Sequence, residues 1–176
     1  MKYNIETSRL ILREWKESDI LPFSILNKDP NVMEYFLKPL SEEESLSFYN
    51  RIKEEFQAYE YGLYAVERKD NHSFIGYTGF HKVPSEMDFA PAVEIGWRIS
   101  FEAWGKGYAT EAASACLDYA KKYLDFKEVY SFTSKPNSRS EHVMQKIGMK
   151  YIKEFDHPLI KTHHPLCRHV LYKKVF

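Results

Sequence analysis

The segment that most restricts how this chain can fold lies near its middle. Residues 92–101, which include Val93-Glu94-Ile95-Gly96-Trp97-Arg98-Ile99, read as a strand, and Trp104-Gly105-Lys106-Gly107-Tyr108-Ala109-Thr110-Glu111-Ala112 opens a long helix over 105–124. A strand that feeds a glycine-spaced turn and then a helix start is a unit of mixed α/β layer folds. The first N–H groups of a helix lack internal partners, and the helix dipole places partial positive charge there. With no side chains at Gly105 and Gly107, a diphosphate can approach those N–H groups. Taken alone, Gly-x-Gly is equally the mark of a tight connection. It is not a dinucleotide fingerprint, because Ala109-Thr110 supplies no third glycine, and no loop ending in Gly-Lys-Ser/Thr is present. The helix carries a stripe of small residues (Ala109, Ala112, Ala113, Cys116, Ala120) that lets it lie close to a sheet.

The flanking segments complete a layered pattern without repeats or linkers, read as one domain over 1–176. Residues 5–13 suit a first strand, with Leu10 and Leu12 on one face and Arg9, Ile11 and Arg13 on the other. Glu17-Ser18-Asp19 opens a helix that ends near 27–30. Ser41 and Glu44 form a capping box before a second helix, whose apolar face is Leu46, Phe48, Tyr49, Ile52 and Phe56. From Gly62 the period becomes two, and Lys69-Asp70-Asn71-His72 turns the chain into a hairpin with 74–82. A short strand at 129–133, a helix at 138–147 and closing strands at 149–155 and 167–175 follow. The expected class is mixed α/β (α+β), with seven strands and four helices.

Charge and length exclude several functions. Lys+Arg and Asp+Glu each total 25, so no positive excess draws the chain to phosphate backbones, and direct nucleic-acid binding is not expected. No stretch approaches the ~20 apolar residues of a membrane span, and no signal peptide begins the chain. Two cysteines, Cys116 and Cys167, suit reduced thiols in the cytoplasm, where the protein is expected.

Trp104-Gly105-Lys106-Gly107-Tyr108-Ala109 resembles the acetyl-CoA pyrophosphate motif of the GNAT N-acetyltransferases, Gln/Arg-x-x-Gly-x-Gly/Ala. Downstream, Asn137, Ser140, Lys146, Gly148 and Met149 are spaced like their second motif, Asn-x-x-Ser/Ala followed by Lys-x-Gly-Phe. The opening Thr7-Ser8-Arg9-Leu10-Ile11-Leu12-Arg13 and the closing His169-Val170-Leu171-Tyr172 resemble the branch that includes the ribosomal-protein acetyltransferases RimJ and RimL. The resemblance spans nearly the whole chain in order. It implies a mostly antiparallel sheet whose fourth and fifth strands, 92–101 and 129–133, splay to admit a pantetheine arm. Backbone groups of Arg98 and Ile99 would pair with that arm. Amides of Gly105, Lys106, Gly107, Tyr108, Ala109 and Thr110, following Trp104, would hold the diphosphate. Asn137 and Ser140 would lie near the thioester, with Lys146 and Arg139 within reach of phosphate or solvent. Acetyl-CoA would be the co-substrate and a primary amine the acceptor, with no metal, and the branch makes a homodimer plausible.

The chain departs from the family pattern at two places. Trp104 stands where Gln or Arg is usual. Met144 stands where many members carry a Tyr that protonates the departing thiolate, and a thioether cannot donate a proton. Ser140 is the replacement donor, unless its hydroxyl serves only the helix start. Tyr130 and Tyr151 are weaker candidates. A lysine amine with pKa about 10.4 is about 0.04% neutral at pH 7, whereas an α-amine at about 7.7–8.0 is about 10–20% neutral. Glu94 is the candidate base, acting through water; it is otherwise a group that binds the substrate cation or pairs with Arg98. His157, His163, His164 and His169 lack the acidic or Cys partners of a metal site and mark either a loop over the acceptor mouth or unassigned surface. The alternative function is an acyl-CoA-binding module without turnover, which Met144 keeps open. Acceptor specificity is expected from the first two helices and the 156–166 loop.

Overall fold

The computed structural model describes residues 4–176. Eight strands form one sheet: β1 (Ile5–Glu6), β2 (Leu10–Arg13), β3 (Leu63–Arg68), β4 (Phe74–Lys82), β5 (Val93–Ile99), β6 (Glu128–Ser134), β7 (Lys150–Asp156) and β8 (Arg168–Val175). Four α-helices accompany them: α1 (Ile20–Lys28), α2 (Glu42–Tyr59), α3 (Tyr108–Tyr123) and α4 (Ser138–Lys146). The spatial order is β1-β2-β3-β4-β5-β6-β8-β7, antiparallel throughout except for the parallel β5–β6 neighbours.

The eighth strand arises because the segment read as one first strand breaks at Thr7-Ser8. There the Thr7 N–H bonds back to the Leu10 carbonyl, and both hydroxyls are drawn to Glu111 instead of continuing the ladder. The capping box is present as read, with Ser41 Oγ accepting from the Glu44 amide at 3.1 Å and the Glu44 carboxylate accepting from the Ser41 amide at 2.8 Å. Of the expected apolar face of α2, Tyr49, Ile52 and Phe56 are buried, but Leu46 is exposed. Helix α3 begins at Tyr108, three residues later than read, because Gly105 (φ 73°) and Gly107 (φ 79°) both hold left-handed conformations incompatible with helix.

Alternation along β4 assigns the layers. Tyr77 packs on Phe23 of α1 and Phe48 of α2, whereas its neighbour Thr78, whose hydroxyl donates to the Gly96 carbonyl, lies against Cys116 of α3. Successive strand residues point to opposite faces, so α1 and α2 cover one face of the sheet and α3 the other. The small stripe performs as expected, since Ala112, Ala113, Cys116 and Ala120 are all fully buried. Trp15 anchors the α1–α2 face: it lies 4.8 Å from Phe23 and 5.9 Å from Tyr49, and its indole N–H donates to the Leu63 carbonyl at 2.6 Å. Both cysteines are buried and unbridged. No helix of the described residues is long and apolar enough to cross a membrane.

The feature that makes the site is the seam between β5 and β6. Strand β5 is paired with β4 at seven successive positions, Val93 to Ile99, but with β6 only at Glu94↔Tyr130. Beyond that bridge the two parallel strands part, as the splay expected between the fourth and fifth of seven strands.

Candidate active site

Where the strands part, a cavity of about 660 Å³ opens. Its wall includes Glu94, Ser140 and every candidate cofactor-binding residue except Lys106, whose ammonium turns to the Glu102 carbonyl at 3.0 Å. One end is the loop before α3. A Cβ built on Gly105 would meet no atom within 4 Å, and one on Gly107 would first meet Arg9 Nη2 at 3.6 Å, so the loop backbone faces open space. The amides of Tyr108, Ala109 and Thr110 begin α3, with Gly107 at its N-cap, and the Gly107 carbonyl accepts from the Glu111 amide. These are the unpaired donors and the dipole end that favour an anion.

A strut missed in the sequence holds this loop. Arg9 Nη1 donates to the Lys106 carbonyl at 2.9 Å, its guanidinium lies 4.5 Å from the Tyr108 ring, and its Nε donates to Glu111 at 2.7 Å. Glu111 also accepts from the Thr7 hydroxyl at 2.6 Å and the Arg9 amide at 3.1 Å. The Thr-Ser-Arg opening therefore fastens the chain's beginning to the first turn of α3, about a hundred residues away. Glu111→Ala removes the bonds from Thr7, Ser8 and Arg9 to this carboxylate at once and is expected to cost about 1–2 kcal/mol. Urea unfolding reads this directly, and an unchanged midpoint would show that the corner stands without Glu111.

Trp104 behaves differently from the polar residue it replaces. Its indole N–H donates to the Ile99 carbonyl at 2.8 Å, bracing the free edge of β5, and its ring lies 4.5 Å beneath the Arg139 guanidinium. Arg139 also pairs with Glu34 at 2.5 Å, which ties α4 to the segment after α1 across the cavity rim.

At the other end, Asn137 organises the start of α4. Its Oδ1 accepts from the Ser140 amide at 3.3 Å, and its Nδ2 donates to Thr133 Oγ1 at 3.0 Å and to Ser140 Oγ at 3.2 Å. The Ser140 hydroxyl thus accepts from Asn137, and no acceptor among the described residues takes its own proton. Met144 is almost fully buried in the cavity wall. The two alternative tyrosines are not in that wall: the Tyr130 hydroxyl donates to Glu128 at 2.7 Å, and Tyr151 is exposed beside Tyr172 on the sheet edge.

Glu94 sits at the single β5–β6 bridge, half-buried, with His81 opposite it on β4. Burial pushes its carboxyl up to about 7, against the pull of the nearby His81. His81 Nδ1 lies 2.9 Å from Glu55 of α2, and that hydrogen bond raises the imidazole pKa. The Glu94–Arg98 pair considered from sequence does not form, because the Arg98 guanidinium instead donates to Asn27 Oδ1 at 2.5 Å. His81 could have been found from the sequence only by setting the hairpin register, which places it opposite Glu94.

The cavity also includes Asn31, Val32, Tyr35 and Phe36 after α1, and Phe48 and Arg51 from α2, whereas α1 itself contributes no residue to it. The 156–166 loop does not contribute to its wall. Of the four late histidines, His157 and His169 lie 4.9 Å apart with their rings tilted, with burial lowering both pKa values, and His163 and His164 are exposed. Among the described residues no three His, Cys, Asp or Glu side chains converge as a metal would require.

Comparison with known proteins places this geometry. The family described as "Acetyltransferase (GNAT) domain" matches residues 9–150. An uncharacterised N-acetyltransferase of Bacillus subtilis, YnaD, is 32% identical over 148 residues, covering 84% of this chain and 82% of its own. A GNAT-family acetyltransferase from Bacillus anthracis superposes with a TM-score of 0.82 at 25% identity, over 98% of each chain. Spermidine N-acetyltransferase from Vibrio cholerae, solved with CoA and spermine, superposes with a TM-score of 0.75 at 20% identity over 96% of each chain, a likeness of fold.

Proposed function

Because the chain belongs to the GNAT acetyltransferase family, we propose that it transfers an acetyl group from acetyl-CoA to a primary amine by direct attack, without a covalent enzyme intermediate. The observation that carries this reading is the convergence in one cavity of a bare helix N-terminus, an unpaired strand edge, a carboxyl with pKa about 7 and a serine hydroxyl with a free proton.

Each part has a role that its chemistry supports. The amides of Gly105 to Thr110 would hold the diphosphate. The free edge of β5 at Arg98 and Ile99 would extend the sheet with the pantetheine amides. Lys146 and Arg139 would lie within reach of phosphate. Glu94, at about 7, is poised to take a proton from an ammonium through water near neutral pH. The freed nitrogen lone pair then forms the C–N bond, the nitrogen gives up a second proton to solvent, and the C–S bond breaks. Ser140 donates a hydrogen bond to the developing thiolate, whose final proton comes from solvent. A thiol with pKa about 8.5 is a fair leaving group, so a hydrogen-bond donor suffices where a phenol is absent. Ser140→Ala is therefore expected to lower kcat by about ten- to fiftyfold. Acetyl-CoA affinity should hold, and a variant with full kcat would remove Ser140 from the mechanism.

The test of the whole reading is calorimetric titration with acetyl-CoA, followed by thiol release against a panel of amines and short peptides. Binding with release supports acetyl transfer. Binding without release from any acceptor would favour the non-catalytic acyl-CoA-binding reading, to which the buried, hydroxyl-free Met144 lends support. No binding would overturn both.

A further inference from the structure

Two arginines are buried in this molecule, and their treatment differs. Arg13, 4% exposed, is forked by Asp19 at 2.7 and 2.9 Å and by Glu67 at 2.6 Å. Arg98, 8% exposed, has no carboxylate partner among the described residues. Its Nη1 donates to the neutral amide of Asn27, its guanidinium carbon lies 4.3, 5.4 and 6.0 Å from the ring centroids of Phe36, Tyr77 and Phe48, and its enclosed Nε has no hydrogen-bond partner. A buried charge is normally paired, because desolvation is costly unless an opposite charge offsets it. Arg98 is one anion short, and it lies in the wall of the cavity.

Its position gives that anion a place. Tyr77 is the cross-strand partner of Arg98, so the guanidinium lies on the α1–α2 face of the sheet. By the alternation of β5, Glu94, Gly96 and Arg98 share that face. A Cβ on Gly96 would meet nothing within 4 Å, so the space between the carboxyl and the guanidinium is an open slot. Among the described residues Glu94 is the one carboxylate in the cavity wall; Arg139 is paired with Glu34 and, with Lys146, is assigned to phosphate, which leaves Arg51 and Arg98 against Glu94 on the acceptor side. A polycationic acceptor would meet more positive than negative charge here. An acceptor with one amine and one carboxylate meets a partner at each end.

We propose that the amine acceptor is a small carboxylate-bearing amine of the amino-acid class, with its carboxylate on the Arg98 fork and its amine toward Glu94. The planar guanidinium matches a carboxylate in two parallel hydrogen bonds. This assignment rests on the acetyl-transfer reading for its use, but the anion site itself is read from Arg98 alone.

The test uses matched trios, each an amino acid, its carboxamide and its decarboxylated amine, in thiol-release assays with acetyl-CoA. In at least one trio the carboxylate form is expected to exceed the other two in kcat/KM by about ten- to a hundredfold. Arg98→Gln should shrink that ratio to about threefold or less, and Arg98→Lys should restore part of it. A merely structural arginine would lower all three members together and leave the ratio intact, which would overturn the proposal. So would a preference for the amide or the simple amine in every trio of the unaltered protein. Calorimetric binding of N-acetyl amino acids against their N-acetyl amides, with CoA present, reads the same preference without turnover. If nothing is turned over, acetyl transfer fails, yet tighter binding of the carboxylate form still supports the site and equal binding still overturns it.

Discussion

Replacing Glu94 with Gln is expected to lower kcat/KM for acetyl transfer by about a hundred- to a thousandfold at pH 7. The amide keeps the shape but cannot accept a proton. In the unaltered protein, burial places the Glu94 carboxyl at about 7, so activity should rise with pH through a single deprotonation near that value. The variant should lose that limb, and a variant retaining both the rate and the limb would exclude Glu94 as the base. The imidazole of His81 pulls the Glu94 pKa down, so His81→Gln should move the midpoint of the limb upward. The effect on stability has the opposite sign. The native state holds the Glu94 proton more tightly than an unfolded chain does, so native stability falls as pH rises from about 4.5 to about 7. Gln carries no such penalty. Thermal unfolding should show Glu94→Gln more stable at pH 8 by about 1–2 kcal/mol, moderated because the cavity admits solvent to the carboxylate, and the gap should close by pH 4.5. Lost activity together with gained stability at high pH is the signature of a functional carboxyl held at a cost.

Gly107→Val is expected to weaken acetyl-CoA binding by about thirty- to a hundredfold. Gly107 is the N-cap of α3 at φ 79°. A β-branched side chain is strained there by about 1–3 kcal/mol, and relief requires the backbone to turn, which re-aims the first amides of the helix. Its Cβ also approaches the Arg9 guanidinium that braces the loop. Gly105→Ala is the milder comparison, since its Cβ enters open space and only the positive φ resists it. Calorimetry on folded protein decides the matter. If Gly107→Val binds as tightly as the unaltered chain, the helix N-terminus is not the diphosphate cradle.

The strand–loop–helix unit was legible because its signals are local. The period along 93–99, the two glycines and the small stripe of α3 each report on backbone that lies within a few residues of itself. The same holds for the Ser41–Glu44 cap, present with the hydrogen bonds its spacing implies. The first strand was misread as continuous because its interruption is caused by Glu111, a partner remote in sequence. The exposure of Leu46 has the same kind of origin, since helical period marks an apolar stripe but not which of its edges the sheet covers. The 156–166 loop was assigned to the acceptor mouth from composition, whereas its position depends on how β7 and β8 pair at the far edge of the sheet.

By itself, the sequence determined the layer class and the glycine loop at the start of α3. These follow from backbone preference and hydrophobic period, which act over one or two turns of chain. Only the tertiary structure decided what Glu94 and Arg98 are. Burial sets the carboxyl at about 7, the β4–β5 register brings His81 against it, and α1 offers Arg98 only an amide, where Asp19 before α1 and Glu67 of β3 offer Arg13 two carboxylates. Charge states and unpaired ions depend on desolvation and on partners distant along the chain, and neither is written in the order of the residues.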